Sequence, residues 1–179
     1  SPTSLELASI GATATDTPTV KDAGGTTISG ATVTWATSSS SVATVSSAGL
    51  VTAVANGTAT ITATSGSSSA TATTTVSQVA SSVTLAPTSL SFTSFGDTTT
   101  LVPTVKDAVG NTMSGATVTW ATSDTAVATV SDAGLVTSVA DGTATVTATS
   151  GSASATASVT VAQVAAALAL SESTLSFAS

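Results

Sequence analysis

Small apolar residues and threonine alternate strictly along parts of this chain. Residues 143–149 read T-A-T-V-T-A-T, so an extended segment there carries Ala and Val on one face and only Thr on the other. Residues 154–161 alternate in the same way, and Ser150-Gly151-Ser152 between them has the composition of a turn. This pattern predicts a β-hairpin with one buried face and one solvated face.

Further short strands follow from the same pattern. Residues 116–120 place Val118 and Trp120 on one face, and residues 101–106 form a strand that Pro103 marks as an edge or a bulge. Segments rich in Asp, Asn and Gly separate the strands at regular intervals, and no stretch has helical periodicity. Short strands with regular turns and no helix predict an all-β protein of the immunoglobulin-like β-sandwich class.

The strand pattern occurs twice, at an offset of about 85 residues without gaps, which marks a tandem repeat. The matching landmarks are Pro2 and Pro87, Pro18 and Pro103, Lys21-Asp22 and Lys106-Asp107, Trp35 and Trp120, and Gly57 and Gly142. We therefore predict a first domain over residues 1–80, whose first strand is incomplete, and a second over residues 81–165. Residues 166–179 match the first strand of a third repeat.

The core of each domain has to be built from aliphatic side chains, because only 3 % of the residues are aromatic. Each repeat has a single tryptophan on its third major strand. We expect Trp35 and Val33 in the first domain, and Trp120 and Val118 in the second, to be core residues.

The second repeat contains a set of motifs that resembles the bacterial immunoglobulin-like domain, group 2. Its matching residues are Pro87, Leu90, Phe92, Val105, Asp107, Gly110, Val118-Thr119-Trp120, Ser123, residues 127–130, Gly134-Leu135-Val136 and residues 142–148. The first repeat matches as well, except that Leu7 stands where phenylalanine is usual and Ile10 replaces Phe95. The resemblance implies a β-sandwich module of bacterial surface proteins, adhesins, cell-wall proteins or phage particles, and it implies no catalytic residues.

The amino-acid composition excludes several classes of catalytic site and of binding partner. The chain has no His and no Cys, which excludes disulfides, thiolate chemistry and catalytic triads that need either residue. Its net charge is −7, with two cationic residues in all, so binding to nucleic acid or to an anionic membrane surface is disfavoured. No apolar run approaches the roughly 18 residues of a membrane-spanning helix, so membrane insertion is not expected. We predict no enzymatic activity and no cofactor.

Calcium is the one metal with a plausible ligand set, because it needs only oxygen atoms. Asp124, Asp132 and Asp141 lie in predicted turns, but the first repeat has Ser39, Ser47 and Asn56 at the matching positions. The favoured interpretation is that these acids form turns by hydrogen bonding to the backbone. Lys21 and Lys106 adjoin turns, and we interpret them as solvated rather than as isopeptide cross-link sites.

The parts of the repeat found at the two ends of the sequence suggest how molecules could join. The first repeat lacks the counterpart of residues 81–85, whereas Leu168-Ala169-Leu170 aligns with Val83-Thr84-Leu85. One interpretation is a segment of a longer array of repeats. The other is strand donation, in which the tail pairs with the first repeat of another molecule through Leu168, Leu170, Leu175 and Phe177.

The sequence thus predicts a non-enzymatic extracellular or bacterial cell-surface protein, acting as a subunit of a stalk, filament or matrix. Its expected partners are copies of itself or neighbouring repeats of the same chain. Two alternatives remain open: an adhesin spacer or module that binds a glycan or a host ligand, and a phage tail or virion decoration protein.

Overall fold

A computed structural model describes residues 3–167, and the regular elements within this range are all β-strands. The all-β prediction is confirmed. No helix in the described range is long and apolar enough to cross a membrane.

The first repeat forms two sheets within the described range. Its strands are β1 (Ser4–Leu7), β2 (Thr13–Thr15), β3 (Thr34–Thr37), β4 (Ala43–Val45), β5 (Leu50–Ala53), β6 (Gly57–Ser65) and β7 (Ser68–Val76). One sheet has the order β1-β7-β6-β3 and the other the order β2-β5-β4. The connections follow the turns that the sequence predicts.

The second repeat forms the same two sheets and one additional strand pair. Its strands are β8 (Ser82–Ala86), β9 (Ser89–Phe92), β10 (Thr98–Thr100), β11 (Val102–Lys106), β12 (Thr119–Thr122), β13 (Ala128–Val130), β14 (Leu135–Ser138), β15 (Gly142–Ser150) and β16 (Ala153–Val161). The sheets have the orders β12-β15-β16-β9 and β10-β14-β13, and β11 pairs with β8. The predicted hairpin of residues 143–161 corresponds to β15 and β16.

The strand register confirms that the repeat has no gap. In the first repeat β1 runs parallel to β7 with Ser4 opposite Thr73, and in the second β9 runs parallel to β16 with Ser89 opposite Ser158. Both pairs differ by the same offset of 85 residues. Each repeat therefore builds its sheets from equivalent residues.

The cores are aliphatic, and the alternating segments supply them. Ala144, Val146 and Ala148 of β15 are buried, as are Val159 and Val161 of β16, whereas the intervening residues are half-buried or exposed. A strand with one apolar face buries that face because the transfer of each apolar group out of water is favourable.

The predicted core residues Trp35, Trp120, Val33 and Val118 are half-buried. Trp35 packs against the buried aliphatic cluster that contains Val51 and Ile61. Trp35 also lies so close to Gly49 that a Cβ on this glycine would come within 2.7 Å of its ring atom Cζ2. The φ angle of Gly49 is +79°, a conformation that favours glycine, so this residue lets the indole lie directly on the turn.

Two core positions differ in polarity between the repeats. Asp16 and Thr74 of the first repeat are buried where the second repeat has Leu101 and Val159, which are also buried. Neither Asp16 Oδ1 nor Thr74 Oγ1 has a hydrogen-bond partner in the described structure. The first repeat thus carries two unsatisfied polar atoms among its buried residues.

The described residues group into two compact units whose bounds differ from those of the repeats. The first unit comprises residues 3–84, 104–118 and 149–154, and the second comprises residues 85–103, 119–148 and 155–167. The loop that follows β11 therefore belongs to the same compact unit as the first repeat.

Candidate functional site

Three neighbouring pockets that share Pro18 border residues 16–21 of the first repeat, and we call them together the groove. Pro18, Val33, Ala63 and Ala70 line it, and Trp35 borders one of its ends. Hydroxyl side chains, among them Thr19, Thr64 and Ser69, line it together with these apolar residues. Such a surface is suited to an added β-strand, which brings both main-chain hydrogen bonds and alternate apolar side chains.

The second repeat shows how an equivalent position is filled. There residues 102–106 form β11, and β8 pairs with it. Val83 and Leu85 of β8 are only 7 % and 6 % exposed, and Val105 of β11 is buried as well. Ser81 extends this pairing, because its amide donates to the carbonyl oxygen of Lys106 over 2.8 Å.

The first repeat has no strand that matches β8 within residues 3–76, and residues 17–20 do not form a strand. Val20, the counterpart of Val105, is half-buried rather than buried. The groove borders residues 17–21, and the counterparts of these residues in the second repeat form β11, which pairs with β8.

Asp16 adds a polar group to this groove. Its side chain is 5 % exposed and lines the groove, and its Oδ1 atom has no partner among the described residues. A buried acceptor without a donor is unfavourable, so an incoming N–H group would satisfy an atom that the first repeat leaves unpaired.

A second site lies around Asp107, in the loop that follows β11 and within the first compact unit. The side chain of Asp107 is 3 % exposed. Its Oδ1 atom accepts from the amides of Val109 (3.2 Å) and Asn111 (2.9 Å), which closes the loop as an Asx turn.

The other carboxylate oxygen of Asp107 binds residues of the first repeat. Oδ2 accepts from Gln78 Nε2 (2.9 Å), from the amide of Ile10 (3.2 Å) and from Asn111 Nδ2 (3.4 Å). Asn111 Nδ2 also donates to the carbonyl oxygen of Ile10 over 2.7 Å. We call this set of four residues, Ile10, Gln78, Asp107 and Asn111, the carboxylate clamp.

The clamp changes the acidity of Asp107. Burial is the largest influence and raises the pKa, but the hydrogen bonds from Gln78, Asn111 and Ile10 favour the ionised form. Together they outweigh burial and lower the pKa from 3.8 to about 2. Asp107 is therefore ionised at any ordinary pH and holds its donors as a carboxylate.

The other residues that the sequence singled out are dispersed. Lys21 and Lys106 are exposed. Asp124 Oδ1 accepts from the amide of Ala126 (2.8 Å), a local turn contact of the kind that we expected. Asp141 Oδ1 accepts instead from the amide of Gln163 (2.8 Å), which is 22 residues away along the chain. Within residues 3–167, no group of three acidic side chains is placed to hold a metal ion. The tail residues Leu168, Leu170, Leu175 and Phe177 lie outside the described residues.

Sequence reasoning did not identify the clamp or the polar core positions. A comparison of the repeats contains a signal for both, because Asn111 aligns with Thr26 and Leu101 aligns with Asp16. Such differences between nearly identical copies mark positions where the two repeats have different surroundings.

The model of the bacterial Ig-like domain (group 2) matches residues 2–76 and again residues 79–161. Among curated proteins, none matches the chain.

Several solved structures are similar to this chain. Domains 4 and 5 of the S-layer protein SbsC are 27 % identical, with 82 % of this chain and 80 % of that chain covered and a TM-score of 0.44. The Yersinia pseudotuberculosis adhesin InvE is 16 % identical over 89 % of this chain and 56 % of its own, with a TM-score of 0.44. Invasin, a bacterial integrin-binding protein, is 22 % identical over 81 % of this chain and 34 % of its own, with a TM-score of 0.42.

Proposed function

Because the chain belongs to the bacterial Ig-like domain (group 2) family, we propose that it is a non-enzymatic structural subunit of a stalk, filament or matrix on the bacterial surface. We propose further that its molecules join head to tail by strand donation. In this assembly the C-terminal segment of one molecule fills the groove of the first repeat of the next.

The observation that carries the proposal is the groove itself. It borders residues 17–21, whose counterparts in the second repeat pair with β8, and Val83 and Leu85 of β8 are buried there. A strand of similar sequence would cover Val20 and supply backbone donors near Asp16. Both features of the groove are then accounted for by one type of ligand, an extended peptide.

The C-terminal segment has the required pattern. Leu168 and Leu170 align with the buried Val83 and Leu85, and Ala169 between them aligns with the exposed Thr84. In an extended strand, Leu168 and Leu170 lie on one face and Ala169 on the other, so the two leucines would enter the groove together. Repetition of such a contact produces an open filament unless the rotation closes a ring.

The test is to place two charges on the inserting face of the full chain. The double variant Leu168→Asp/Leu170→Asp should be monomeric in sedimentation velocity, and it should form no fibres in electron microscopy, because a buried unpaired carboxylate is strongly unfavourable. The unmodified chain should associate as its concentration rises.

The matched control places the same two charges on the other face of the strand. Ala167→Asp/Ala169→Asp aligns with the exposed positions Ser82 and Thr84, so this variant should associate as the unmodified chain does. If both double variants associate equally well, donation by this tail is wrong. If the unmodified chain remains monomeric up to millimolar concentration, head-to-tail assembly is wrong.

A further inference from the structure

Each repeat contains one half of a second carboxylate clamp: the first repeat has the acceptor loop, and the second has the donor residues. The loop of residues 22–26 in the first repeat matches the loop of residues 107–111. Asp22 Oδ1 accepts from the amides of Gly24 (3.0 Å) and Thr26 (2.9 Å), as Asp107 Oδ1 accepts from those of Val109 and Asn111. The backbone contacts match too, because the Asp22 amide donates to the carbonyl of Thr26 over 2.9 Å and the Asp107 amide to that of Asn111 over 2.9 Å.

The two aspartates differ in what their second oxygen binds. Oδ2 of Asp107 accepts three hydrogen bonds, whereas Oδ2 of Asp22 has no donor among residues 3–167, and Asp22 is exposed. The first repeat therefore presents a preformed acceptor loop with one carboxylate oxygen directed to no described donor.

The donor half of the clamp is likewise repeated in the second repeat. Gln163 and Phe95 are the counterparts of Gln78 and Ile10. The amide of Gln163 donates to Asp141 Oδ1 (2.8 Å) as that of Gln78 donates to Asn56 Oδ1 (2.9 Å), so the two backbone amides are held alike. The side chains are held differently, because Asn56 Nδ2 also donates to Gln78 Oε1 (3.4 Å) and the carboxylate of Asp141 has no such donor. Gln163 is exposed, Phe95 is 46 % exposed, and within the described residues the Phe95 amide has no acceptor.

We infer that the Asp22 loop of a second copy of this chain docks onto Gln163 and Phe95 and forms a carboxylate clamp between molecules. In this contact Asp22 Oδ2 accepts from Gln163 Nε2 and from the amide of Phe95. We choose the Asp22 loop as the binding partner because the equivalent loop at Asp107 binds the equivalent donors, Gln78 Nε2 and the amide of Ile10. The inference deepens the head-to-tail assembly proposed above and names a contact that does not involve the C-terminal tail.

Two differences make the clamp between molecules weaker than the clamp within the chain: Asp141 in place of Asn56 beside the glutamine, and Thr26 in place of Asn111 in the loop. Asn111 donates its side-chain amide to the carbonyl of Ile10 (2.7 Å) and to Asp107 Oδ2 (3.4 Å), whereas Thr26 at the matching position has no amide. A threonine hydroxyl is shorter and offers a single donor in place of two. The contact between copies therefore lacks one bridging group.

The experiment compares the self-association of full-length variants by sedimentation velocity at physiological ionic strength. Asp22→Asn keeps the Oδ1 acceptor of the turn but turns a donor toward the donors of Gln163 and Phe95, so association should weaken by about tenfold or more. Thr26→Asn restores the bridging amide and should strengthen association several-fold. Asp132→Asn, the same charge change at an exposed turn of the second repeat, should leave association unchanged.

The outcomes separate this contact from strand donation. If Asp22→Asn weakens association while Leu168→Asp/Leu170→Asp does not, the clamp is supported and donation is wrong. If the tail variant abolishes association and neither Asp22→Asn nor Thr26→Asn changes it relative to Asp132→Asn, the clamp between molecules is wrong and donation stands. A chain that is monomeric at every concentration overturns both.

Discussion

At the scale of single residues, the two repeats form an internal comparison of how a core tolerates polar groups. Thr74 and Val159 are nearly equal in size and both fully buried, yet the Oγ1 atom of Thr74 has no hydrogen-bond partner in the described structure. A buried hydroxyl without a partner loses its hydrogen bonds to water and gains none in the fold. The difference between the repeats at this position is therefore one of satisfied polarity rather than of shape.

Exchanging these two residues tests that argument. Thr74→Val should raise the free energy of unfolding of the first repeat by about 1–3 kcal/mol, since it removes the unsatisfied hydroxyl at almost constant volume. Val159→Thr should destabilise the second repeat by a similar amount. Urea unfolding followed by circular dichroism measures both, and a stability loss in Thr74→Val would contradict the absence of a partner for Oγ1.

At the scale of elements, the loop of residues 107–111 illustrates how one side chain can serve two purposes. One oxygen of Asp107 closes the loop, and the other holds Gln78 and the amide of Ile10. The equivalent loop at Asp22 closes in the same way without such donors. The turn therefore forms through amides of its own loop, whereas its contact with another element requires hydrogen-bond donors from that element.

Acid should release this contact in a defined range of pH. The pKa of Asp107 is lowered to about 2 in the folded protein, from 3.8. A carboxylate with a lowered pKa stabilises the fold fully above its unfolded pKa, and this contribution is lost as the pH falls through about 4 to about 2. The amide signal of Ile10 in ¹⁵N NMR spectra should titrate with a midpoint near pH 2.

Asp107→Asn is the matching control for this titration. It retains an oxygen for the turn amides of Val109 and Asn111, but it has no carboxylate to protonate. The Ile10 signal should then show no transition in this range. A midpoint near the ordinary value of an aspartate in the unmodified protein would show that the clamp does not hold the charge.

At the scale of the whole molecule, the differences between the two cores all predict a lower free energy of unfolding for the first repeat than for the second. The first repeat carries unsatisfied polar atoms at Asp16 and Thr74. The second repeat has the buried apolar residues Leu101 and Val159 at those positions. More buried apolar surface and fewer unpaired polar atoms favour the second repeat.

Thermal or urea unfolding should consequently occur in two steps, with the first repeat unfolding before the second. Each repeat contains one tryptophan, so Trp120→Phe leaves Trp35 to report the first repeat, and Trp35→Phe leaves Trp120 to report the second. The fluorescence transition of Trp35 should lie at lower urea than that of Trp120. Scanning calorimetry of the unmodified chain checks that the substitutions did not create the two steps, and coincident transitions would contradict the argument.

Much of the fold could be predicted from the sequence because its signals are local. The alternation in residues 143–149 and 154–161 identified the β15–β16 hairpin and its buried face, since successive side chains of a strand point to opposite sides. The offset between Trp35 and Trp120 identified the repeat. Pro103 predicted an edge or a bulge in the strand of residues 101–106, and β11 lies there in a sheet of two strands.

The candidate sites could be predicted only in part, because they depend on which segments meet. The repeat alignment matched Leu168 and Leu170 with the buried Val83 and Leu85, and the insertion of these leucines into the groove stays a prediction. Asp107, in contrast, resembled any turn aspartate, and its partners Ile10 and Gln78 are 97 and 29 residues away along the chain. Sequence spacing alone gives no indication of such a contact.

The sequence by itself thus determined the class of fold, the tandem repeat, the family and the position of the turns. These follow from the periodicity of side chains and from the backbone preferences of Gly, Asp and Asn, which act over a few residues. Only the tertiary structure decided that Trp35 and Trp120 lie half-buried against turn glycines, that Asp16 faces an open groove, and that Asp107 binds the first repeat while Asp22 does not. Those features arise because burial and hydrogen-bond satisfaction depend on neighbours that are close in space and distant along the chain.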